Sequence, residues 1–455
     1  EAVRRAYAAD SKSVRAGLLE GQVEIDAGND AAAVRALERA ARHDTDFLPE
    51  ILPLLRSAYE ARSKAELPVL VRWKGSDSVK LGRFDTPKVV VDVQDAQGAA
   101  ALAAPSLDSL GTAYVEGHLD VQGSVQDILA TAYRLSQVDD ATLAKPGLIG
   151  RVTKKVIGNA AHSKSQDKAD IQYHYDVSNA FYAEWLDPAM LYSCAYFENG
   201  DESLAEAQQK KLDHILTKAR VQPGHRLLDI GCGWGALVLR AAQKFGARCV
   251  GITLSQNQYD LATERVREAG LQDQVEIRLQ DYRDVQGSFD RITSVGMCEH
   301  VGLANLERYF QIIHDRLAPD GWVLNHNITT CAPDHEGAAH GGGDFIDRYV
   351  FPDGELPHIS KILHAMQRSG LEPIDAESLR RHYAQTLRCW SDTFEAKSDK
   401  LRTMVSDKTW RIWRMYLVGC QWAFENDEVS VFQVLAHRAG QRSDTLPRSR
   451  RWMYA

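Results

Sequence analysis

An α/β fold is predicted for this chain: a doubly wound parallel sheet with a helical lid, preceded by a smaller helical and α+β N-terminal domain. Three observations carry the prediction. Residues 226–240 (RLLDIGCGWGALVLR) run from apolar positions through three alternating glycines into an apolar-periodic segment. That pattern reads as a buried strand, a tight turn and a helix N-terminus. Short apolar runs then recur about every 20–30 residues with helical patterns between them, as in a parallel sheet built from βαβ units. Their downstream ends carry polar or glycine residues, where ligands bind in such sheets.

Strands are placed at Arg226–Ile230, 249–254, Val275–Leu279, Phe289–Val295 and 322–328, with 371–377 and Val429–Arg438 as an antiparallel pair closing the sheet. Their carboxyl ends bring 231–235, Thr253-Leu254-Ser255, Asp281-Tyr282, Glu299-His300 and His326-Asn327 to one rim. The largely helical, aromatic segment 334–422 is expected to cover that rim as a lid. The glycines are spaced G-x-G-x-G, whereas the dinucleotide fingerprint is G-x-G-x-x-G with an acid about 20 residues on. That position falls near Thr253, which is not acidic. A pyrophosphate ligand is therefore disfavoured. The loop, with Asp229 ahead of the glycines, instead resembles the first loop of an S-adenosylmethionine-dependent methyltransferase.

Four regions are predicted. Residues 1–64 read as two or three amphipathic helical segments, punctuated by Gly28-Asn29-Asp30, with 47–59 the most apolar. Residues 65–139 form a small α+β domain, suited to lipid docking or oligomerisation. In it VLVRWK, KVVVDV and GTAYVEGHLDV are β-rich, while 96–104 and 125–135 read as helices. Residues 140–172 are a linker, and within 151–170 of it Arg151, Lys154, Lys155, Lys164 and Lys168 face only Asp167 and Asp170. Such a run is ordinarily a solvated face; against anionic headgroups it is worth about 1 kcal/mol per basic residue. Residues 173–455 hold the large α/β domain.

The chain is 455 residues long, 44% hydrophobic and 25% charged, ordinary for a globular protein. A formal charge of −8 argues against nucleic-acid binding through bulk charge. Seven cysteines without a C-x-x-C pair read as reduced thiols and a cytoplasmic location. No apolar run approaches about 18 residues, and the first residues carry no apolar signal core. Membrane contact is thus expected only peripherally, at the inner face.

Seven segments together are far more specific than any one: HYDVSNAFYAEWLDPAMLYSCAYF, LDIGCGWG, GITLSQNQ, QDYRD, SVGMCEHVG, RYVFPDGELP and YAQTL. They make the chain similar to the cyclopropane fatty acid synthases, methyltransferases acting on unsaturated phospholipid chains, whose close relatives are the mycolic acid cyclopropane synthases. The resemblance covers about 173–438 strongly and the preceding α+β part more loosely. It implies a Rossmann-like catalytic domain, acyl chains at the membrane surface as substrate, and room for a homodimer.

Position by position, the resemblance implies a cofactor site for S-adenosylmethionine at Tyr192, Ser193, Asp229, Gly231, Gly233, Thr253, Leu254, Gln258, Asp281 and Tyr282. Gln258 has the donor and acceptor that ribose hydroxyls need, Asp281 suits the adenine amine, and Tyr282 suits the ring. The family also holds a bicarbonate ion; by resemblance its holders here are Cys194, Glu299, His326, Ile328 (through its backbone) and Tyr383. Methyl transfer to a cis double bond creates a carbocation, and ring closure removes a proton from the new methyl group. A bound anion then serves as electrostatic partner and base. Cys420 aligns with a cysteine long suspected of being essential in the family, though its apolar surroundings favour a buried structural thiol.

Asn325 and Cys298 depart from the family pattern beside the acceptor, which leaves ring closure and methyl or methylene branching both open. Asp334, His335, Glu336 and His340 in the glycine-rich loop are expected to form a lid hinge and no metal site. Phe181, Trp185, Phe197, Phe345 and Trp390 are candidates for lining an acyl channel. Two competing readings are a methyltransferase for a small soluble acceptor and a catalytically dead lipid-binding protein.

Overall fold

The computed structural model describes residues 13–43, 67–136 without 74–76, 83 and 104, 177–333, 343–350, 355–440 and 447–454, with Glu50 and Leu54 besides. The basic linker, the apolar segment 47–59 apart from Glu50 and Leu54, and loop residues 334–340 lie outside the described residues. Two compact units are present. One takes the described parts of Glu1–Lys145, Gly341–Phe345 and Asp407–Val418, and the other those of Pro146–His340, Ile346–Ser406 and Gly419–Ala455.

The first unit begins with α1 (Val14–Asp26) and α2 (Asp30–His43). Its four-stranded sheet contains β1 (Val69–Trp73), β2 (Asp77–Lys80), β3 (Val89–Val93) and β4 (Leu119–Gln122), in the order β2-β1-β3-β4. Helices α3 (Ala96–Ala103), α4 (Leu107–Val115) and α5 (Val125–Ser136) accompany it. Alternate residues Val69, Val71, Val89, Val91 and Val93 enter a core with Leu37, Leu110 and Ile128, the period of two that a half-buried sheet requires.

One sequence expectation is corrected here. Residues 111–115 of the β-rich GTAYVEGHLDV are helical, and its strand starts only at Leu119. Ser106 caps α4 through a reciprocal box with Ser109, at 2.9 and 3.0 Å. The cap, with burial of Leu110, Ala113, Tyr114 and Val115, outweighs the β preference of Thr, Tyr and Val. Phe345 belongs to this unit: its amide donates to the Asp108 carboxylate at 3.0 Å, and its ring lies 3.1 Å from where a Cβ on Gly111 would be.

The second part of the chain runs through α6 (Asn179–Trp185), α7 (Leu204–Lys218), β5 (Arg226–Ile230), α8 (Ala236–Phe245), β6 (Arg248–Thr253), α9 (Gln256–Glu268), β7 (Val275–Leu279), β8 (Phe289–Val295), α10 (Leu306–Arg316) and β9 (Leu317–Thr330). There follow α11 (Gly343–Tyr349), α12 (Ile359–Arg368), β10 (Leu371–Ser378), α13 (Arg380–Ala396), α14 (Ser398–Met404), α15 (Asp407–Glu425) and β11 (Val429–Arg438). The seven strands form one sheet in the order β10-β11-β9-β8-β5-β6-β7, with β11 antiparallel to both its neighbours. From β5 the chain winds outward through β6 and β7, then returns to β8 and β9 on the other side. That reversal opens a crevice at the β5/β8 strand ends.

Strands β5, β7, β8 and β11 have the bounds read from the sequence. β9 begins earlier than Trp322, because Leu317 already pairs with Phe289 and residues 318–321 bulge opposite Asp290. Both faces of the sheet are covered. Leu227, Leu324 and Leu435 pack with α7 and α8, while Leu228, Val323 and Val434 pack with α10 and α12. Covering on both faces is why these strands read as continuous apolar runs.

Helix α7 also buries charge. Lys218 is fully enclosed and its Nζ lies 2.8 Å from Glu377 and 3.2 Å from Asp375 on β10. His214 Nε2 is 2.8 Å from the same Glu377 oxygen. Burial pushes the Glu377 carboxyl up, but the His214 hydrogen bond and the Lys218 charge outweigh it and hold it at about 2. Glu377→Gln is expected to cost about 3 kcal/mol at pH 7, low for a broken buried pair because Asp375 still faces Lys218. A carboxyl depressed on folding contributes stability above its unfolded value, and the contribution fades as pH falls from about 5 to 2. Urea midpoints across that range should drop steeply for the wild type and more shallowly for the variant.

Candidate active site

The crevice is a cleft of about 1000 Å³ including its open mouth. Its walls are a strap at 190–193, the β5 loop, the ends of β6 and β8, and Gln258, Gln280, Tyr282 and His300. The glycine turn shapes its floor. Gly231 and Gly233 have φ of 79° and 54°, a region that costs other residues strain. A Cβ on Gly231 would sit 2.6 Å from Met297 Cγ, whereas one on Gly233 meets no atom within 4 Å and projects into open space.

Cofactor candidates fall on this cleft with one exception. Tyr192, Ser193, Asp229, Gly231, Gly233, Thr253, Leu254, Gln258 and Tyr282 all line it. Asp281 does not: its carboxylate receives the backbone amide of Arg283 at 2.8 Å and the Arg283 guanidinium at 2.6–2.8 Å, while its neighbour Gln280 takes the wall position. Thr253 Oγ1 donates to Gln258 Oε1 at 2.7 Å, which takes one of the two acceptor positions of that amide oxygen. Asp229 is fully enclosed and accepts from Thr293 Oγ1 at 2.7 Å; burial pushes its carboxyl up to about 6.

The strap has no regular structure and is held by side chains. Asp187 accepts from the amides of Ala189 and Leu191 at 2.9 and 2.8 Å. Gln208 of α7 donates to the Leu191 and Ser193 carbonyls at 3.2 and 2.9 Å. Thr386 and His382 of α13 receive the amides of Ala195 and Phe197, both at 3.0 Å. The Tyr192 ring lies 5.3–5.8 Å from those of Tyr182, Trp185 and Trp390. Phe181 joins the same cluster through Trp185, whereas Phe197 packs separately with Ala195 and Ala207.

The residues assigned to the anion are linked by a second set of bonds. Glu299 Oε1 accepts from the Ile328 amide at 2.7 Å. Ile328 pairs with Val431, whose carbonyl takes the Leu379 amide at 2.9 Å. The Leu379 carbonyl in turn accepts from the Tyr383 amide at 3.0 Å and lies 3.8 Å from Cys194 Sγ. His326 stands two residues before Ile328 on β9, with Gln433 Nε2 donating to its Nδ1 at 3.3 Å. Among the described residues, neither Glu299 Oε2 nor His326 Nε2, both buried, has a hydrogen-bond partner. Burial pushes Glu299 up to about 7. Burial, together with Lys211 and Lys218, pushes His326 down to about 3.

Cys420 is half-buried on α15 rather than buried, and it is absent from the cleft wall. Among the described residues, no cluster of three or more His, Cys, Asp or Glu side chains suits a metal ion, and no helix is long and apolar enough to cross a membrane. Sequence reasoning missed Lys211, Met297 and Gln280 on the wall. For Lys211 a signal existed: it lies four residues from both Ala207 and Ile215, on the apolar face of α7.

A sheet of this order, opening a glycine-floored cleft at its reversal, is that of an S-adenosylmethionine-dependent methyltransferase. Within that class, residues 162–434 match the model of the Mycolic acid cyclopropane synthetase family, and the chain belongs to that family. Residues 61–139 match a domain of unknown function, DUF7884. Relatives include a probable fatty acid methyltransferase of Pseudomonas putida, 42% identical over 86% of this chain and 95% of the relative. The cyclopropane-fatty-acyl-phospholipid synthase of Escherichia coli is 38% identical over 58% of this chain and 66% of the relative. The crystal structure of mycolic acid cyclopropane synthase CmaA1 complexed with SAH and CTAB matches with a TM-score of 0.56 at 35% identity, over 59% of this chain and 97% of that one.

Proposed function

We propose that this methyltransferase modifies the cis double bond of an unsaturated acyl chain in a phospholipid, closing a cyclopropane ring with the help of a bound bicarbonate ion. The observation that carries the reading is the pair of buried, unpartnered polar atoms, Glu299 Oε2 and His326 Nε2. Such atoms each cost about 1–3 kcal/mol unless a ligand satisfies them. The names of the Escherichia coli relative and of CmaA1 support the same chemistry.

In this reading the methyl donor occupies the β5/β8 cleft, with the backbone of Gly231 and Gly233 against it and the Gln258 amide nitrogen on the ribose. Methyl transfer forms a carbon–carbon bond, breaks the sulfonium carbon–sulfur bond and leaves a cation on the acyl chain. Bound bicarbonate would supply the base for the proton whose loss closes the ring. His326 stays neutral, and with Nδ1 receiving Gln433 its hydrogen sits on Nε2, a donor toward an anion. Glu299, with Oε1 fixed by the Ile328 amide, turns Oε2 to the ion's hydroxyl. Burial raises the Cys194 thiol far above its ordinary range, so it acts as a protonated donor and not as a nucleophile.

A second reading, methyl or methylene branching of the same chain, is favoured by the name of the Pseudomonas putida relative. Lipid mass spectrometry of a host expressing the protein decides between them. Ring closure and a methylene branch both add one CH2, but ozone cleaves only the branched alkene. No mass gain on unsaturated lipid, with turnover on a soluble polar acceptor instead, would overturn both readings.

Two substitution sets follow. Gly233→Leu should abolish binding of S-adenosylmethionine by filling the open space beside it, and Gln258→Ala should weaken binding by about 1–2 kcal/mol, both by calorimetry. Glu299→Gln should keep that binding and lower kcat on unsaturated phospholipid vesicles by about 10²-fold or more. A near-normal rate for Glu299→Gln in bicarbonate-free buffer would remove the ion from the chemistry.

A further inference from the structure

Lys211 is the one cation of the described cleft wall, and the chemistry above leaves it unused. It sits in the middle of α7, 1% exposed, yet it lines the cleft. Its Nζ donates to Ser193 Oγ at 2.8 Å. An ammonium has three hydrogens to give, and enclosing one is costly unless an anion shares the space. Of the described residues on the cleft wall, Lys211 and Asp229 are the two charged side chains, with His300 as the remaining titratable base. One cation and one anion on the wall match a zwitterion, and the amino-acid end of S-adenosylmethionine is one.

We infer that Lys211 recognises the carboxylate of the cofactor's amino-acid moiety, both directly and through Ser193. Because Lys211 donates to Ser193 Oγ, the hydroxyl hydrogen of Ser193 is left to donate onward to the same carboxylate. Asp229 takes the ammonium end. Gln208, one turn earlier on the same face, holds the Ser193 carbonyl at 2.9 Å, so α7 presents both the strap and the charge. The inference rests on placement of the methyl donor in this cleft.

The groups facing Lys211 are Asp187 from the turn after α6, Cys194 from the strap, Asp229 from β5 and His326 from β9. Burial pushes the Lys211 ammonium down to about 8, with Asp187, Cys194 and Asp229 opposing. A carboxylate ligand needs the cation, so carboxylate recognition fades as pH rises past about 8.

The experiment compares two ligands by calorimetry on the full chain. S-adenosylhomocysteine carries the carboxylate; 5′-(3-aminopropylthio)-5′-deoxyadenosine keeps the nucleoside, thioether and amine but lacks it. Lys211→Met should weaken S-adenosylhomocysteine about 10–100-fold, as for a lost charge-assisted pair, and move the decarboxylated ligand by less than about threefold. Lys211→Gln, which keeps a donor toward Ser193 and removes the charge, should weaken S-adenosylhomocysteine selectively as well, and it decides the matter should Lys211→Met fail to fold. Equal weakening of both ligands, or no weakening of either, overturns the inference and leaves Lys211 a scaffold residue. Failure of the unmodified protein to bind either ligand, or binding unaffected by Gly233→Leu, would instead bring down the placement of the donor itself.

Discussion

The buried polar face of α7 is the constraint on which the catalytic half of the molecule depends. Gln208, Lys211 and Lys218 are each at most 1% exposed, and a helix carrying two enclosed ammonium groups is stable only where partners wait for both. Those partners lie on different pieces of chain: Ser193 on the strap for Lys211, Glu377 and Asp375 on β10 for Lys218. Satisfying both fixes α7 against the sheet and, through Gln208, lays the irregular strap across the end of β5. A chain segment without secondary structure thereby acquires a defined position, as a wall of a binding cleft must. Hydrophobic packing of Leu212, Ile215 and Leu216 supplies attraction without that choice of register.

This face also explains what was legible in the sequence and what was not. The strands of the large sheet were readable because covering on both faces turns them into apolar runs, and Leu227–Leu228 or Val434–Leu435 serve opposite cores at once. Part of the rim followed from topology, since strand ends of a reversing sheet converge whatever their side chains are; Glu299, His326 and Asn327 were expected on it and do not line the cleft. Lys211 was passed over because lysine-lysine in a polar helix reads as solvated; its spacing from Ala207 and Ile215 marks the buried face, but its partner, Ser193, lies 18 residues away. The misread 111–115 shows the converse. Thr, Tyr and Val favour strands only where a sheet receives them, and a two-serine box at 106 and 109 was enough to start a helix. Asp281 sat in the right motif, but Arg283 two residues on takes its carboxylate, a local pairing no alternation pattern reveals.

Glu299 and His326 pose a sharper physical question, because each holds a buried polar atom without a partner and their protonation moves in opposite directions. Burial alone disfavours charge on either group, so an empty site drifts toward a neutral acid and a neutral imidazole. For His326 the effect is reinforced by Lys211 and Lys218, whose positive charges reach it from α7. The two buried lysines of α7 thus help burial keep the imidazole from becoming a cation. A neutral imidazole with hydrogen on Nε2 and a carboxyl near its midpoint are matched to a ligand that both accepts and donates, which is the pattern of a small hydrogen-bearing oxyanion. A cationic imidazole would bind such an anion more tightly but would also acidify it and quench its basicity. On the proposed reaction, a neutral histidine would give up affinity for the anion and retain its basicity, and it would add no further positive charge to an interior in which a carbocation forms.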